Sequence, residues 1–91
     1  MYANGRKKGT VRFSIRPGMA LERAELAGDF NKWKPVAMRK QKDGSFALTL
    51  ELRPGSYEYK FLLDGDWSHD WEVPEQAMNR FGTVNSVAVV S

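Results

Sequence analysis

The sequence has no cysteine, one histidine, and no apolar run near the roughly 18–20 residues that a membrane-spanning helix needs. Because no disulfide can form, a domain of 91 residues has to be held together by packing alone. A cysteine-free composition suits a reducing compartment, so we expect the protein in the cytoplasm. The first ten residues, "MYANGRKKGT", are basic but have no apolar stretch behind them, so we do not expect a secretory signal.

The single histidine, His69, lies among several carboxylates, so residues 64–70 are the candidate for a catalytic or metal site. Asp64-Gly65 is better explained as a turn, and too few ligands remain to surround one point. Ser68, His69 and Asp70 do not form a triad, because adjacent strand residues point to opposite faces. There is no glycine-rich phosphate loop either. We therefore expect no enzyme activity, no metal and no cofactor.

The net charge is +3, but the basic and acidic residues are distributed unevenly along the chain. Up to Lys42 there are 11 Lys and Arg against 3 Asp and Glu, and from Asp43 onward there are 3 against 8. A basic half can indicate nucleic acid or a membrane surface. No run exceeds three like charges, which favours ordinary solvated faces, so we expect neither nucleic acid nor membrane as a partner.

Residues 1–9 are polar and contain glycine, so we expect a flexible tail, followed by a folded domain over residues 10–91. Apolar and polar residues then alternate with period two in "TVRFSIR", "FALTLEL" and "YEYKFLL", which is typical of half-buried strands. "ALERAELAG" has helical propensity, but its tight Pro-Gly and Gly-Asp flanks favour a strand. Residues 71–80 show no clear period and predict a long loop or one helical turn. Some seven short antiparallel strands separated by turns predict an all-β fold, an immunoglobulin-like antiparallel β-sandwich.

A hairpin loop fixes the pairing of the strands before and after residues 42–44. We expect a three-residue loop there with Gly44 left-handed, because a two-residue loop would set an arginine against a core leucine. The resulting register pairs Lys40 with Phe46, Met38 with Leu48, and Val36 with Leu50.

A two-residue turn at Asp64-Gly65 fixes a second register, in which Leu62 pairs with Trp67. Lys60 then lies on the same face as Leu62 and Trp67. The opposite face of that strand is the predicted core face, formed by Tyr57, Tyr59, Phe61 and Leu63.

Three tryptophans, Trp33, Trp67 and Trp71, lie in or beside predicted loops. One such tryptophan usually packs against a loop or a sheet edge, but the register places Trp67 off the core, beside Lys60. A flat, rigid ring can hold the apolar C–H face of a pyranose while Lys, Asn and Thr side chains contact its hydroxyls. A nucleic-acid base stacks on aromatics as well, but the acidic residues around Trp67 disfavour phosphate.

Three stretches in order, "GDFNKW", "GSYEYKFLLDGDWSHD" and "FGTVNSVAVV", resemble carbohydrate-binding module family 48 over about residues 10–90. That family includes the glycogen-binding domain of AMP-activated protein kinase β subunits and the N-terminal modules of branching and debranching enzymes. The resemblance implies a β-sandwich that binds α-1,4-linked glucans such as glycogen, starch or maltodextrin and that is itself noncatalytic. A glycogen-metabolising enzyme or a kinase is the implied protein partner.

The resemblance also implies which residues bind the sugar. The two tryptophans on which family members stack sugars match Trp33 and Trp67, and a strand lysine matches Lys60. The "GTVN" segment is expected to supply polar contacts through Thr83 and Asn85.

The residue before that segment, Phe81, departs from the kinase type, which has leucine there. The resemblance implies that the apolar residue at this position presses into the curved glucan. Phe is larger and flatter, so we expect it to stack on a sugar instead of inserting into a glucan turn, and the preferred chain length and branching stay open. Within "GDFNKW", we expect Phe30 to anchor the loop in the core while Trp33 is held out for ligand. Gly28 and Asn31 are expected to let the backbone turn sharply.

Two other functions stay open. The sandwich could be a protein-interaction module with a degenerate glucan site, docking onto a kinase or an enzyme through its edges and loop tips. It could also bind nucleic acid through its basic half, in which case affinity would fall steeply with salt.

Overall fold

Alternation of apolar and polar residues produces two antiparallel sheets that enclose one core, as a computed structural model of residues 1–18 and 20–91 shows. One sheet has four strands in the order β1-β2-β6-β5, and the other has six, β4-β3-β7-β10-β9 with β8 paired to β7. The ten strands of the described residues are β1 (Tyr2–Asn4), β2 (Thr10–Ile15), β3 (Ala24–Gly28), β4 (Val36–Ala37), β5 (Arg39–Lys40), β6 (Phe46–Glu51), β7 (Gly55–Leu63), β8 (Asp66–Ser68), β9 (Gln76–Met78) and β10 (Val84–Val90). The predicted all-β, immunoglobulin-like antiparallel β-sandwich is confirmed, with more strands than the seven expected.

The centre of the core is where inward side chains of β2 and β7 meet. Phe13 and Tyr59 are fully buried and lie edge to face, with ring centroids 5.0 Å apart. The Tyr59 hydroxyl donates to Oδ2 of buried Asp70 at 2.8 Å, and the Asp70 backbone N–H donates to the Ser86 hydroxyl at 2.6 Å. Burial, reinforced by the charge of Asp70, raises the pKa of Tyr59, so the phenol stays protonated. Asp70 therefore serves the packing of the core.

The N-terminal segment differs from the flexible tail predicted over residues 1–9. Tyr2–Asn4 form β1, which pairs with β2 and sets Tyr2 opposite Phe13. The Tyr2 ring packs 6.2 Å from the Phe13 ring, and its hydroxyl accepts a hydrogen bond of 2.9 Å from the Val89 backbone N–H. A strand of three residues is too short to show a period in the sequence, which is why the alternation missed it.

Residues 36–40 do not form one strand, because the chain passes from one sheet to the other at buried Met38. Arg39–Lys40 join the four-stranded sheet, and the predicted pairing of Lys40 with Phe46 is confirmed. Val36–Ala37 instead join the six-stranded sheet beside β3. The predicted pairings of Met38 with Leu48 and of Val36 with Leu50 are therefore wrong, since they assumed one uninterrupted strand.

The segment at 71–80 was predicted as a loop or a helical turn, and this is wrong for its second half. Gln76–Met78 form β9, the edge strand beside β10, with Ala77 opposite Asn85. The strand is short and exposed on one side, so it carries no apolar alternation. Its position brings the loop that follows it onto the face that carries Trp67.

Strand β7 fixes which side chains face outward on the six-stranded sheet. Tyr59 and Phe61 are fully buried in the core, so Lys60 and Leu62 point to the outer face. The turn at 64–65 pairs Leu62 with Trp67, as predicted. Across residues 1–18 and 20–91, none of the structure's helices has the length and apolar character needed to cross a membrane.

Candidate functional site

A cavity of about 660 Å³ lies on the outer face of the six-stranded sheet. All six residues that the resemblance singled out line it: Trp33, Lys60, Trp67, Phe81, Thr83 and Asn85. Four further residues line it that the sequence did not identify: Asp29, Glu58, Asn79 and Arg80. The structure therefore brings three separate segments of the chain to one place.

Two of the aromatic rings at the cavity are presented to solvent. Trp67 is 52% exposed on the short strand β8, and Phe81 is 77% exposed in the loop between β9 and β10. Arg80 lies beside Phe81, with its guanidinium carbon 5.0 Å from the ring centroid. Because a guanidinium stacks on an aromatic face, Arg80 supports one side of the Phe81 ring and leaves the other side open.

Trp33 reaches the cavity through a short 3₁₀ turn, Asp29–Asn31, that follows β3. The Asn31 carboxamide ties this turn together, accepting from the Gly28 N–H at 2.9 Å and donating to the Leu26 carbonyl at 3.2 Å. Lys32 and Trp33 then adopt left-handed backbone angles, with φ of 56° and 59°. Such angles are unfavourable for residues with a side chain and occur mostly where the surroundings hold them in place.

The turn differs from the expected one at Gly28, which is extended, with φ of −175°. Glycine is required there for space: an added Cβ would lie 2.6 Å from the Glu58 carbonyl oxygen and 2.8 Å from both Phe30 and Tyr59. Phe30 packs on the core, 5.2 Å from Phe13 between ring centroids, as predicted. The packing of Phe30 on the core thus anchors the loop that carries Trp33.

Asp29 fixes the Trp33 side chain from the other end of the same turn. Its Oδ1 accepts a hydrogen bond of 3.0 Å from the Trp33 indole N–H, and its Oδ2 accepts one of 2.8 Å from the Glu58 backbone N–H. The indole is therefore linked through one carboxylate to strand β7. Sequence reasoning could have found Asp29 only as a turn former, because its partner on β7 is distant in the chain.

A chain of polar side chains lies between the aromatic rings. Lys60 Nζ donates to the Thr83 hydroxyl at 3.0 Å, and the Asn79 amide donates to the same hydroxyl at 2.8 Å. The Asn79 amide also donates to Asn85 Oδ1 at 3.1 Å, and the Asn85 amide donates to Glu58 at 3.0 Å. Asn85 is only 6% exposed, so it forms the floor of the cavity.

The third tryptophan, Trp71, is 50% exposed but does not line the cavity. It follows Asp70, which turns into the core after β8. Exposure alone therefore does not distinguish the tryptophans, whereas their position on the sheet does.

The site combines flat apolar rings at its edges with a preformed set of hydrogen-bonding groups on its floor. Such a surface suits a ligand that is apolar on its ring faces and rich in hydroxyls on its rim. Two acidic and two basic side chains line the cavity, Asp29 and Glu58 against Lys60 and Arg80, so the charges balance.

Comparison with known proteins also points to a ligand that is rich in hydroxyls. A family model described as the glycogen recognition site of AMP-activated protein kinase matches residues 18–91. Subunit beta-1 of 5'-AMP-activated protein kinase is 37% identical in Sus scrofa and 35% identical in Homo sapiens, over 65 residues and 71% of this chain in both. The chain spans 52% of the pig sequence and 23% of the human one.

Among solved structures, a maltogenic amylase from S. marinus superposes on the whole of this chain with a TM-score of 0.78 and 25% identity. The match covers 16% of the amylase chain. Since the family model covers most of the described fold, the chain belongs to the family described as the glycogen recognition site of AMP-activated protein kinase.

Proposed function

We propose that this domain is a noncatalytic module that binds α-1,4-linked glucans, such as glycogen, starch or maltodextrins, in the cavity on the six-stranded sheet. The observation that carries the proposal is that one cavity joins the indoles of Trp33 and Trp67 with Lys60 and Thr83. The family's description as a glycogen recognition site supports the same ligand class.

In this proposal each kind of group has a separate task. Trp33 and Trp67 stack on the apolar faces of glucose units, and Phe81 offers a third ring at the rim. Lys60, Thr83 and Asn85 contact the hydroxyls, directly or through water. Each stacked ring contributes on the order of 1–3 kcal/mol, by analogy with base stacking. Association costs offset much of that sum, so we expect dissociation constants of about millimolar to micromolar.

The balanced charge of the cavity favours a neutral ligand. Asp29 and Glu58 lie on the same surface as Lys60 and Arg80 and oppose a phosphate backbone. Glucan binding should therefore change little between low and high salt. A nucleic-acid ligand would show a steep loss of affinity over the same range.

The test is a calorimetric titration of the domain with maltoheptaose, combined with sedimentation on glycogen. The double variant Trp33→Ala/Trp67→Ala should lose measurable binding, because both stacking surfaces are removed. Trp71→Ala is the matched control: it removes an equally exposed indole outside the cavity and should bind like the wild type. Unchanged glycogen binding by the double variant, or equal losses in all variants, would contradict the site.

We also propose that the domain brings a kinase complex or a glucan-metabolising enzyme to its glucan, in the cytoplasm. The similarity to kinase β-1 subunits supports the kinase as the first partner to test. Affinity purification with and without excess maltoheptaose separates the two roles. Recovery of a partner without any glucan binding would favour a pure protein-interaction module.

A further inference from the structure

Asn79 begins the loop between β9 and β10, and its side chain uses its whole hydrogen-bonding capacity inside the protein. The amide nitrogen donates to the Thr83 hydroxyl and to Asn85 Oδ1, at 2.8 and 3.1 Å. The carbonyl oxygen accepts from the backbone N–H groups of Phe81 and Thr83, at 2.9 and 3.3 Å. A carboxamide has two donor hydrogens and two acceptor lone pairs. None remains for a ligand, although Asn79 lines the cavity.

This arrangement determines the role of the Thr83 hydroxyl. A hydroxyl has one donor hydrogen and two acceptor lone pairs. Both lone pairs are occupied, one by Lys60 Nζ at 3.0 Å and one by the Asn79 amide at 2.8 Å. The hydrogen of Thr83 is then the only group left on that hydroxyl, and it is directed away from both donors. Thr83 is exposed, so this hydrogen is available to an acceptor in the cavity.

We propose that Asn79 is a positioning residue that makes Thr83 an obligatory hydrogen-bond donor to a glucan oxygen. This inference rests on the proposed glucan function and deepens it. Asn79 acts through Thr83 and does not touch the sugar. The same side chain also accepts a hydrogen bond from the Phe81 backbone N–H. Asn79 therefore fixes both the position of Phe81 at the rim of the cavity and the direction of the Thr83 hydroxyl hydrogen.

The chemistry requires an amide at this position. Aspartate has nearly the same shape and keeps the acceptor for the Phe81 and Thr83 N–H groups, so the loop should be retained. It has no donor when ionised, however, and would accept the Thr83 hydrogen itself. Thr83 would then turn its hydrogen inward and meet the ligand as an acceptor. Asn79→Asp therefore reverses the hydrogen bond to Thr83 and breaks the one to Asn85 Oδ1, while the side chain keeps its shape.

The experiment is a double-mutant cycle measured as maltoheptaose affinity. Asn79→Asp should weaken binding about tenfold, as expected for a hydrogen bond that is lost with a partner left unpaired. Thr83→Val should weaken it by a similar factor. In the Thr83→Val background, Asn79→Asp should weaken binding clearly less than in the wild type, because the hydroxyl through which it acts is gone and only the bond to Asn85 Oδ1 is still broken. Asn4→Asp, an exposed asparagine on the other sheet, is the control for the added negative charge.

Independent losses from the two substitutions would overturn the inference, and so would wild-type affinity in Asn79→Asp. Absence of maltoheptaose binding in the wild type would instead contradict the proposed function. If Asn79→Asp does not fold, the hydrogen bond between Asn79 and Thr83 is tested in the Thr83→Val variant alone, by nuclear magnetic resonance. The side-chain amide signals of Asn79 should shift and exchange faster with water in that variant. Unchanged Asn79 signals would show that the bond to Thr83 does not exist.

Discussion

The outer faces of the two sheets are built by the same alternation but carry different chemistry. On the four-stranded sheet, β2 and β6 direct small and polar side chains outward, with Arg12 opposite Thr49 and Thr10 opposite Glu51. On the six-stranded sheet, the outward positions hold Lys60 and Leu62, and Trp67 pairs directly with Leu62. Two loops add Trp33 and Phe81 to this second face. The period of the strands decides which residues face outward, whereas strand β8 and the loops give one face its cavity and its exposed aromatic rings.

The largest effect should come from the glycine that lets the Trp33 loop lie close to β7. Gly28→Ala would place a Cβ 2.6 Å from the backbone oxygen of Glu58, which cannot move away like a flexible side chain. We expect the free energy of unfolding in urea to fall by about 1–3 kcal/mol, as in other overpacked sites. Glucan affinity should fall with it, because the displaced loop carries Trp33.

Gly18→Ala is the control for this prediction, since a Cβ at Gly18 would meet nothing within 4 Å. Equal stability of the two alanine variants would mean that the loop is not held as closely as described.

The second prediction compares one cation on each face. Lys60→Met removes the ammonium group but keeps the aliphatic stem, so the sheet should be as stable as before. We expect maltoheptaose affinity to fall about tenfold, because the charged donor to Thr83, which the proposed function also assigns to the sugar, is lost. Arg12→Met removes the same charge from the opposite face and should leave affinity unchanged. Equal losses in the two variants would point to a general effect of charge.

A smaller effect is expected at Asp29, which accepts one hydrogen bond with each carboxylate oxygen. Asp29→Asn keeps one acceptor and replaces the other by a donor, so either the Trp33 indole or the Glu58 N–H loses its partner. We expect glucan affinity to fall about threefold and the indole N–H signal of Trp33 to shift. The signals of Trp67 and Trp71 should stay in place. Glu51→Gln, on the other face, is the control, and a Trp33 signal unaffected by Asp29→Asn would contradict the link.

Much of the difference between the faces could be predicted from the sequence. The strong alternation of β2, β6 and β7 and the two-residue turn at 64–65 placed Lys60, Leu62 and Trp67 on one face, as the structure shows. The resemblance then selected six residues that share a single cavity.

The missed features have a common physical cause. Short strands such as β1 and β9 leave no period to detect, and β4 and β5 belong to different sheets although one residue separates them. Asp29 and Asn79 were missed because their tasks depend on hydrogen-bond partners brought together by loops. A local pattern identifies such residues as turn formers and does not show what else they bind.

The smallest effect is expected at the β5–β6 hairpin, away from the cavity. The hydroxyl and backbone N–H of Ser45, followed by the Arg16 guanidinium, lower the pKa of Asp43 from 3.8 to about 2. Because the folded pKa lies below the unfolded one, this carboxylate stabilises the fold above about pH 4 and loses that effect as the pH falls towards 2. Asp43→Asn should therefore lower the melting temperature slightly at pH 6, since exposed pairs contribute little, and the gap should narrow below about pH 4 and close below about pH 2. Maltoheptaose affinity at neutral pH should match the wild type, because Asp43 does not line the cavity. A gap in melting temperature that persists unchanged to pH 2 would contradict the carboxylate's role, and a loss of affinity would contradict the separation of this hairpin from the binding face.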